Sequence, residues 1–443
     1  MNLPPGNTPH RVAVAVAARD GKIRKRAMEI YAAAARDWTQ APAAIARSFR
    51  GARELRSVER RFVGEAVYGM IRWRRRVGFA IGSENASPLA QYLVWLALEF
   101  PGDPQIETEL RVAGIDPARV ADIESRLATI ADEDERLAIA QSYPTWLVAR
   151  LVAERGRDEA GKILAAMNRR APLVARANRL KNTRDELLAI LADEGVPAAP
   201  LPLAPDGVEL RTHVNAYGLT SFKEGRFELQ DAGSQAIAEL TAPPPRGVVV
   251  DACAGAGGKT LALGALLQNR GRLTAFDPSD DKLEELRTRA RRAGLTNVRA
   301  IAVDEKAPSD AELELRGRAD RVLCDVPCSG LGTLRRNPEA RWRLQPSDLD
   351  ELPPVQRAIL ERYAPLVAPG GRLVYATCTV DAGENDAVVD AFAAAHPEFV
   401  AVPAKEILGK ARATELGDGV RLRLLPSVHD TDGFFAAVLR RKE

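Results

Sequence analysis

Val248-Val-Val-Asp-Ala-Cys-Ala-Gly-Ala-Gly-Gly-Lys-Thr260 is the stretch on which the fold turns. A short apolar run reads as a buried strand, Asp251 closes it, and glycines at 255, 257 and 258 allow the backbone to bend sharply and to approach a ligand closely. Lys259 and Thr260 then open a helical pattern that reaches residue 267. The same rhythm continues downstream: strand-like runs at 248–251, 272–277, 298–304, 321–325 and 372–377 alternate with helical stretches such as 259–267 and 282–293. Strands alternating with helices imply βαβ units and an α/β fold with a doubly wound, mostly parallel sheet. Ligands of such sheets bind at the carboxyl ends of the strands, where the acidic and cysteine residues of this segment fall.

Upstream, Pro243-Pro-Pro-Arg-Gly247 breaks the pattern and marks a domain boundary at 243. Residues 141–242 form a small mixed segment, with helical patterns at 151–167 and 185–191 and a strand-like run at 173–177. Prolines 197, 200, 202 and 205 predict an irregular connection within it. Residues 1–140 read as all-α, because Phe62, Val63, Ala66, Val67, Met70 and Ile71 form one helical stripe, with Ser57 as its N-cap. No internal repeat is present.

The chain has 443 residues, 46% hydrophobic and 28% charged, an ordinary composition for a soluble globular protein of two or three domains. The cysteines, at 253, 324, 328 and 378, are too few and too clustered to staple a secreted fold. Reduced thiols and a cytoplasmic location are expected. The apolar run at 12–18 is short for a signal peptide, and no run approaches the roughly 18 residues of a membrane span. A net charge of +3 identifies no polyanionic partner, but ten arginines lie between 47 and 76 against three glutamates. That segment suits either a solvated helical face or a phosphate-binding one.

Three readings compete for the glycine turn. A phosphate-cradling P-loop ends in Gly-Lys-Thr, as here, but requires glycine where Cys253 stands; a dinucleotide fingerprint starting at Gly255 requires glycine where Thr260 stands. Both fail. Asp251 would repel phosphate and attract an ammonium or sulfonium, and S-adenosylmethionine carries both. Asp277 ends the next strand and is placed for ribose hydroxyls, while Asp304, at the third strand end, is placed for the adenine ring. Any one of these carboxylates alone could be a solvated loop residue, but three in register on a parallel sheet point to a site. The cofactor-binding set is therefore Asp251, Cys253, Ala254, Gly255, Ala256, Gly257, Gly258, Lys259, Asp277, Asp304 and Asp325.

Asp325-Val-Pro-Cys-Ser-Gly330 follows the fourth strand and Tyr375-Ala-Thr-Cys-Thr379 ends the fifth, so Cys328 and Cys378 should face one cleft. Cations or helix ends there could make either thiol a nucleophile. Cys253 and Cys324 read as small buried hydrophobes. Zinc is not expected: Pro327 and strand alternation spoil a shared geometry for Cys324 and Cys328, and the four histidines do not cluster with them.

Together, Cys253-Ala-Gly-Ala-Gly-Gly-Lys-Thr260, Asp325-Val-Pro-Cys-Ser-Gly330, Arg335-Arg-Asn-Pro338 with Trp342, and Tyr375-Ala-Thr-Cys378 resemble the ordered motifs of the RNA 5-methylcytosine methyltransferases of the RsmB/Nop2/Sun group. Gln230-Asp-Ala-Gly-Ser234 and Asp432-Gly-Phe-Phe435 also match, so the resemblance spans about residues 222–443. One departure is Gly255-Ala256, where the family commonly has Ala-Pro; it should loosen the loop without removing a charge.

The resemblance implies a class I, Rossmann-like methyltransferase domain using S-adenosylmethionine, preceded by a helical domain similar to the NusB-like RNA-binding domain, with the mixed segment assisting RNA recognition. It implies that Cys378 attacks carbon 6 of a cytosine and that Cys328 assists product release; the Pro-Cys nucleophile of DNA cytosine methyltransferases makes Cys328 the alternative. Asp325 would contact the base and Lys259 would support Asp325, although a lysine at a helix start can simply be solvated. Arg60, Arg61, Arg74, Arg75, Arg335 and Arg336 would bind RNA phosphates. The expected substrate is 16S ribosomal RNA, with transfer RNA second, and the expected state a monomer. A non-catalytic RNA-binding assembly or antitermination factor is the reading from another class, and the intact cysteines, Asp325 and glycine loop argue against it.

Overall fold

A computed structural model describes residues 21–51, 55–212 and 214–443. The apolar run at 12–18, Arg53, His213 and the side chain of Ser57 lie outside that description. The chain divides into two compact units, one of Met1–Asn168 with Arg336–Pro346, the other of Arg169–Arg335 with Ser347–Glu443.

The described part of the first unit is helical. The stripe from Phe62 to Ile71 lies on helix Ser57–Arg72 and is buried throughout. Its N-cap is Arg56 rather than Ser57, because the Glu59 carboxylate reaches back to accept the Arg56 N–H at 2.7 Å. The helical pattern over 151–167 is two helices, Thr145–Arg155 and Arg157–Met167, divided at Gly156, whose φ of +77° a side chain would resist. Residues 336–346 complete this unit. Arg341 is fully buried, with its guanidinium 3.8 Å from the Tyr143 ring centroid and Nη1 donating to the Ser142 carbonyl and the Asn168 Oδ1. Trp342 Nε1 donates to the Ile71 carbonyl at 2.7 Å.

The second unit holds two sheets. The smaller is antiparallel, with strands β1 (Leu173–Ala177), β2 (Ala198–Pro200), β3 (Gly207–Leu210) and β4 (Phe227–Leu229) in the order β2-β3-β1-β4. The proline-rich stretch is thus not wholly irregular: it contributes β2, an edge strand, where a proline leaves no ladder donor missing.

The larger sheet contains β5 (Val248–Asp251), β6 (Arg272–Asp277), β7 (Val298–Ala302), β8 (Ala319–Asp325), β9 (Val367–Thr377), β10 (Phe399–Val402), β11 (Leu422–Leu424) and β12 (Phe434–Arg441). Its order is β10-β12-β9-β8-β5-β6-β7, with β11 paired to β12. Strands β5 to β9 are parallel, whereas β12 runs antiparallel to β9 and to β10. The chain leaves β5 toward β6 on one side and later returns to place β8 on the other. This reversal opens a crevice at the carboxyl ends of β5, β8 and β9. Among the described residues, no helix is long and apolar enough to cross a membrane.

Candidate active site

The crevice begins with Asp251 at the end of β5. Its carboxyl is buried, Oδ2 accepts the Thr260 hydroxyl at 2.7 Å, and Oδ1 has no hydrogen-bond partner. Burial pushes this carboxyl up to about 7. Gly255 takes a φ of +53° and donates its N–H to Asp277 Oδ2 at 2.9 Å, while Asp277 Oδ1 accepts from Ser279 N. Open space lies where a Gly255 side chain would project, so the turn presents bare backbone to a ligand. Gly257, by contrast, is enforced by packing: a Cβ there would stand 2.6 Å from Leu286 Cγ.

The Gly255-Ala256 pair does not leave the turn loose, because Arg289 Nη1 donates to the Ala256 carbonyl at 2.7 Å while Asp277 holds the Gly255 N–H. Gln230 Nε2 reaches the Gly258 carbonyl at 3.2 Å, bringing the Gln230–Ser234 motif against the same turn. Cys253 is held well above the usual thiol range, chiefly by burial, and Ala254 is buried. Asp304 lies two residues beyond the end of β7, exposed, with Oδ1 accepting from Lys306 N. Cys324 is buried inside β8 and burial raises its thiol. All four cysteines are free, and among the described residues no group of three or more metal-ligating side chains assembles.

Beside this cradle, the ends of β8 and β9 bring Cys328 and Cys378 together, with their sulfurs 3.3 Å apart. The Cys378 N–H points to Cys328 Sγ at 3.4 Å. The hydrogen bond to Cys378, followed by burial, pushes the Cys328 thiol well up. Lys259 Nζ lies 2.6 Å from Asp325 Oδ2 and 5.6 Å from the Phe434 ring centroid. Burial works to lower the Lys259 amine, but the Asp325 charge and hydrogen bond outweigh it, so the amine is raised and stays cationic. Gly332 closes the floor: a Cβ on it would sit 2.0 Å from the Gly433 carbonyl and 2.7 Å from that of Cys378. The Asp432-Gly-Phe-Phe435 motif therefore supports the cysteine cleft directly.

Sequence reasoning missed a buried polar set behind the cysteines. Ser329 donates its N–H and hydroxyl to Glu384, at 2.8 and 2.5 Å, and its Oγ lies 2.9 Å from Thr379 Oγ1. Gln356 Nε2 also donates to Glu384, at 2.9 Å, and Asn385 lies between Thr377 and Thr379. Burial raises the Glu384 carboxyl against its hydrogen bonds. The available signal was the run Glu384-Asn385-Asp386 opening a helix just after the Thr-Cys motif.

The arginines divide. In the first unit, Arg60 donates to the Phe49 carbonyl at 3.0 Å, Arg61 pairs with Glu65 at 3.2 Å, and Arg74 lies over the rings of Trp38 and Trp342. Arg75 donates to the Tyr143 carbonyl and to Glu135, both at 2.6 Å. In the second unit, the Arg335 side chain is only 1% exposed and bonds to the Thr431 and Arg170 carbonyls and to Asp430. Arg75 and Arg335 therefore anchor the fold through their terminal guanidinium nitrogens, a role the sequence did not announce. Arg336 is half-buried. Arg47 and Arg50, on helix Ala41–Gly51, are exposed.

The sheet order, the antiparallel β12 and the glycine turn at the reversal define a class I, Rossmann-like methyltransferase domain. The family model for the 16S rRNA methyltransferase RsmB/F matches residues 238–440, and that for the ferredoxin-like domain of RsmF/B-like methyltransferases matches residues 143–217. A probable ribosomal RNA small subunit methyltransferase B of Synechocystis sp. is 32% identical over 412 residues, covering 86% of this chain and 91% of the relative. A protein of the same description from Bacillus subtilis is 37% identical over 315 residues, 71% of this chain and 69% of the relative. Among solved structures, a methyltransferase homologue from Pyrococcus horikoshii is similar with a TM-score of 0.60 and 28% identity, covering 70% of this chain and all (100%) of the neighbour. The chain belongs to the RsmB/F family of methyltransferases.

Proposed function

We propose that this protein methylates carbon 5 of a cytosine in RNA, with small-subunit ribosomal RNA as substrate and S-adenosylmethionine as donor. The observation that carries the reading is the pair of thiols, Cys328 and Cys378, 3.3 Å apart at the carboxyl ends of adjacent parallel strands and beside the Lys259–Asp325 pair. Carbon 5 of cytosine is a poor nucleophile, so a group must first add at carbon 6, and a thiolate does this covalently.

Cys378 is assigned to that addition and Cys328 to product release. Asp325 contacts the base around N3 and the amino group, where charge changes as the adduct forms, and Lys259 holds its carboxylate in place. The donor supplies an electrophilic methyl group on a sulfonium. The bare, buried Oδ1 of Asp251 suits its ammonium, the Asp277 carboxylate retains acceptor capacity for ribose hydroxyls, and Asp304 is assigned to the adenine side. The target base must leave its stack to reach such a crevice, which favours a loop or single strand. Residues 1–140, with Arg47 and Arg50 exposed on helix Ala41–Gly51, and the mixed segment 141–242 are assigned to RNA binding.

The test is to incubate the full chain and methyl-labelled donor with ribosomal and transfer RNA and to map 5-methylcytosine. Label at cytosine carbon 5 of small-subunit RNA is expected. Transfer RNA as the sole acceptor would redirect the substrate assignment, and no transfer to any RNA would sink the reading.

A further inference from the structure

Glu384 and Asn385 are neighbours in sequence, and each embraces a different cysteine by the residues on either side of it. On the Cys328 side, Glu384 Oε2 accepts the Ser329 N–H at 2.8 Å and Oε1 accepts the Ser329 hydroxyl at 2.5 Å. Gln356 Nε2 donates to the same carboxylate at 2.9 Å and to the Pro327 carbonyl at 3.1 Å. The residue before Cys328 and the residue after it are thus fixed to one carboxylate–amide pair.

On the Cys378 side, Asn385 Oδ1 accepts the Thr377 hydroxyl at 2.6 Å and Nδ2 donates to the Thr379 carbonyl at 3.2 Å. Ser329, Gln356, Thr377, Thr379, Glu384 and Asn385 are all buried. In such surroundings an unmade hydrogen bond is costly, so the arrangement resists distortion.

The chemistry of each side chain matches its task. Three donors converge on Glu384, which an ionised carboxylate accepts without conflict; Asn385 faces one donor and one acceptor, which an amide satisfies. We infer that Glu384 and Asn385 are positioning residues with separate duties, Glu384 setting the Cys328 thiol and Asn385 setting the Cys378 thiol. The inference rests on the proposed division of labour between the cysteines and adds what holds each in place.

The experiment uses the full chain, an RNA containing the target cytosine and labelled donor. It reads two quantities, the covalent protein–RNA adduct surviving denaturation and multiple-turnover methylation, with C378A and C328A as references. E384A is expected to behave like C328A, accumulating adduct while turnover falls on the order of 100-fold, as displacement of a catalytic group by about 1 Å can cause. N385A is expected to slow adduct formation by the same order, with no accumulation.

E384Q can accept from Ser329 N and Gln356 through its oxygen and donate to the Ser329 hydroxyl through its nitrogen, so it should recover most of the release step. If E384A does not fold, E384D, whose oxygens are withdrawn by one methylene, reads the same defect; N385D, which loses the donor to Thr379, substitutes for N385A. Adduct in C328A but not in the Glu384 variants, or an identical loss of both steps in the Glu384 and Asn385 variants, overturns the inference alone. Absence of adduct in C328A overturns the cysteine assignment and this inference with it.

Discussion

Asp251 is a carboxyl shut away from water with one oxygen occupied by Thr260 and the other bare. Its value of about 7, against an ordinary 3.8, means that the folded protein holds this proton more tightly than the unfolded chain does. The associated stability is fully present below the ordinary value and is lost as pH rises through about 7. A ligand ammonium at Oδ1 reverses the preference by favouring the ionised form. Binding of S-adenosylhomocysteine, which keeps the ammonium and lacks the sulfonium, should therefore release a proton below pH 7 and strengthen by up to about tenfold per pH unit as pH rises toward 7. Calorimetry in buffers of different ionisation enthalpy measures both effects, and D251N should abolish the proton release. An affinity that does not change between pH 6 and pH 8 would remove Asp251 from the ammonium site.

At the scale of elements, Glu228 on β4 joins the small sheet to helix Asp280–Ala293, pairing with Arg289 at 3.2 Å and with Arg292. Arg176 stands opposite Glu228 across the β1–β4 register, and burial pushes its guanidinium down to about 10. E228A would leave three arginines around an empty position. Breaking such a buried ion pair costs about 3–5 kcal/mol, which chemical denaturation would measure. Because Arg289 also holds the Ala256 carbonyl, the same variant should weaken cofactor binding; unchanged stability and affinity would show that the clamp is passive.

The elements themselves were legible in uneven measure. The buried stretches of β5, β6, β8 and β9 stand out because a parallel sheet covered on both faces demands apolar runs. Strands β10, β11 and β12 were not foreseen: the first two are short, and β12 was read only through its Asp-Gly-Phe-Phe motif. Asp251 and Asp325 could be placed because they end their strands, and Cys378 and Cys328 because they follow one and three residues beyond a strand end. Gln356, Glu384 and Asn385 could not, since their value lies in partners that only the folded chain brings near. The anchoring contacts of Arg75 and Arg335 were hidden for the same reason: a basic run carries no sign that carbonyls elsewhere in the sequence will bind its guanidinium groups.

At the scale of the whole molecule, the helical unit is built from two stretches, Met1–Asn168 and Arg336–Pro346. Arg341 and Trp342 find their partners at Ser142, Tyr143, Asn168 and Ile71, all in the first stretch. A truncated chain of residues 169–443 would retain both side chains without those partners. Residues 336–346 should then be cut much faster by a protease than in the full chain, as limited proteolysis would reveal. A truncated chain in which this strip resists cleavage as well as in the full chain would show that residues 336–346 do not depend on the first stretch.

The same two-stretch construction sets a timetable for synthesis. Helices of the first stretch leave the ribosome early, but their unit lacks its last strip until Pro346 has emerged, and at about 5–20 residues per second that interval is roughly 10–35 s. Throughout it, the surface around Tyr143 and Ile71 waits uncovered while β1 to β8 are being made. The nascent chain must therefore carry an unfinished helical body through the birth of the small sheet and of four of the eight strands of the larger one, a window in which a chaperone has something to hold.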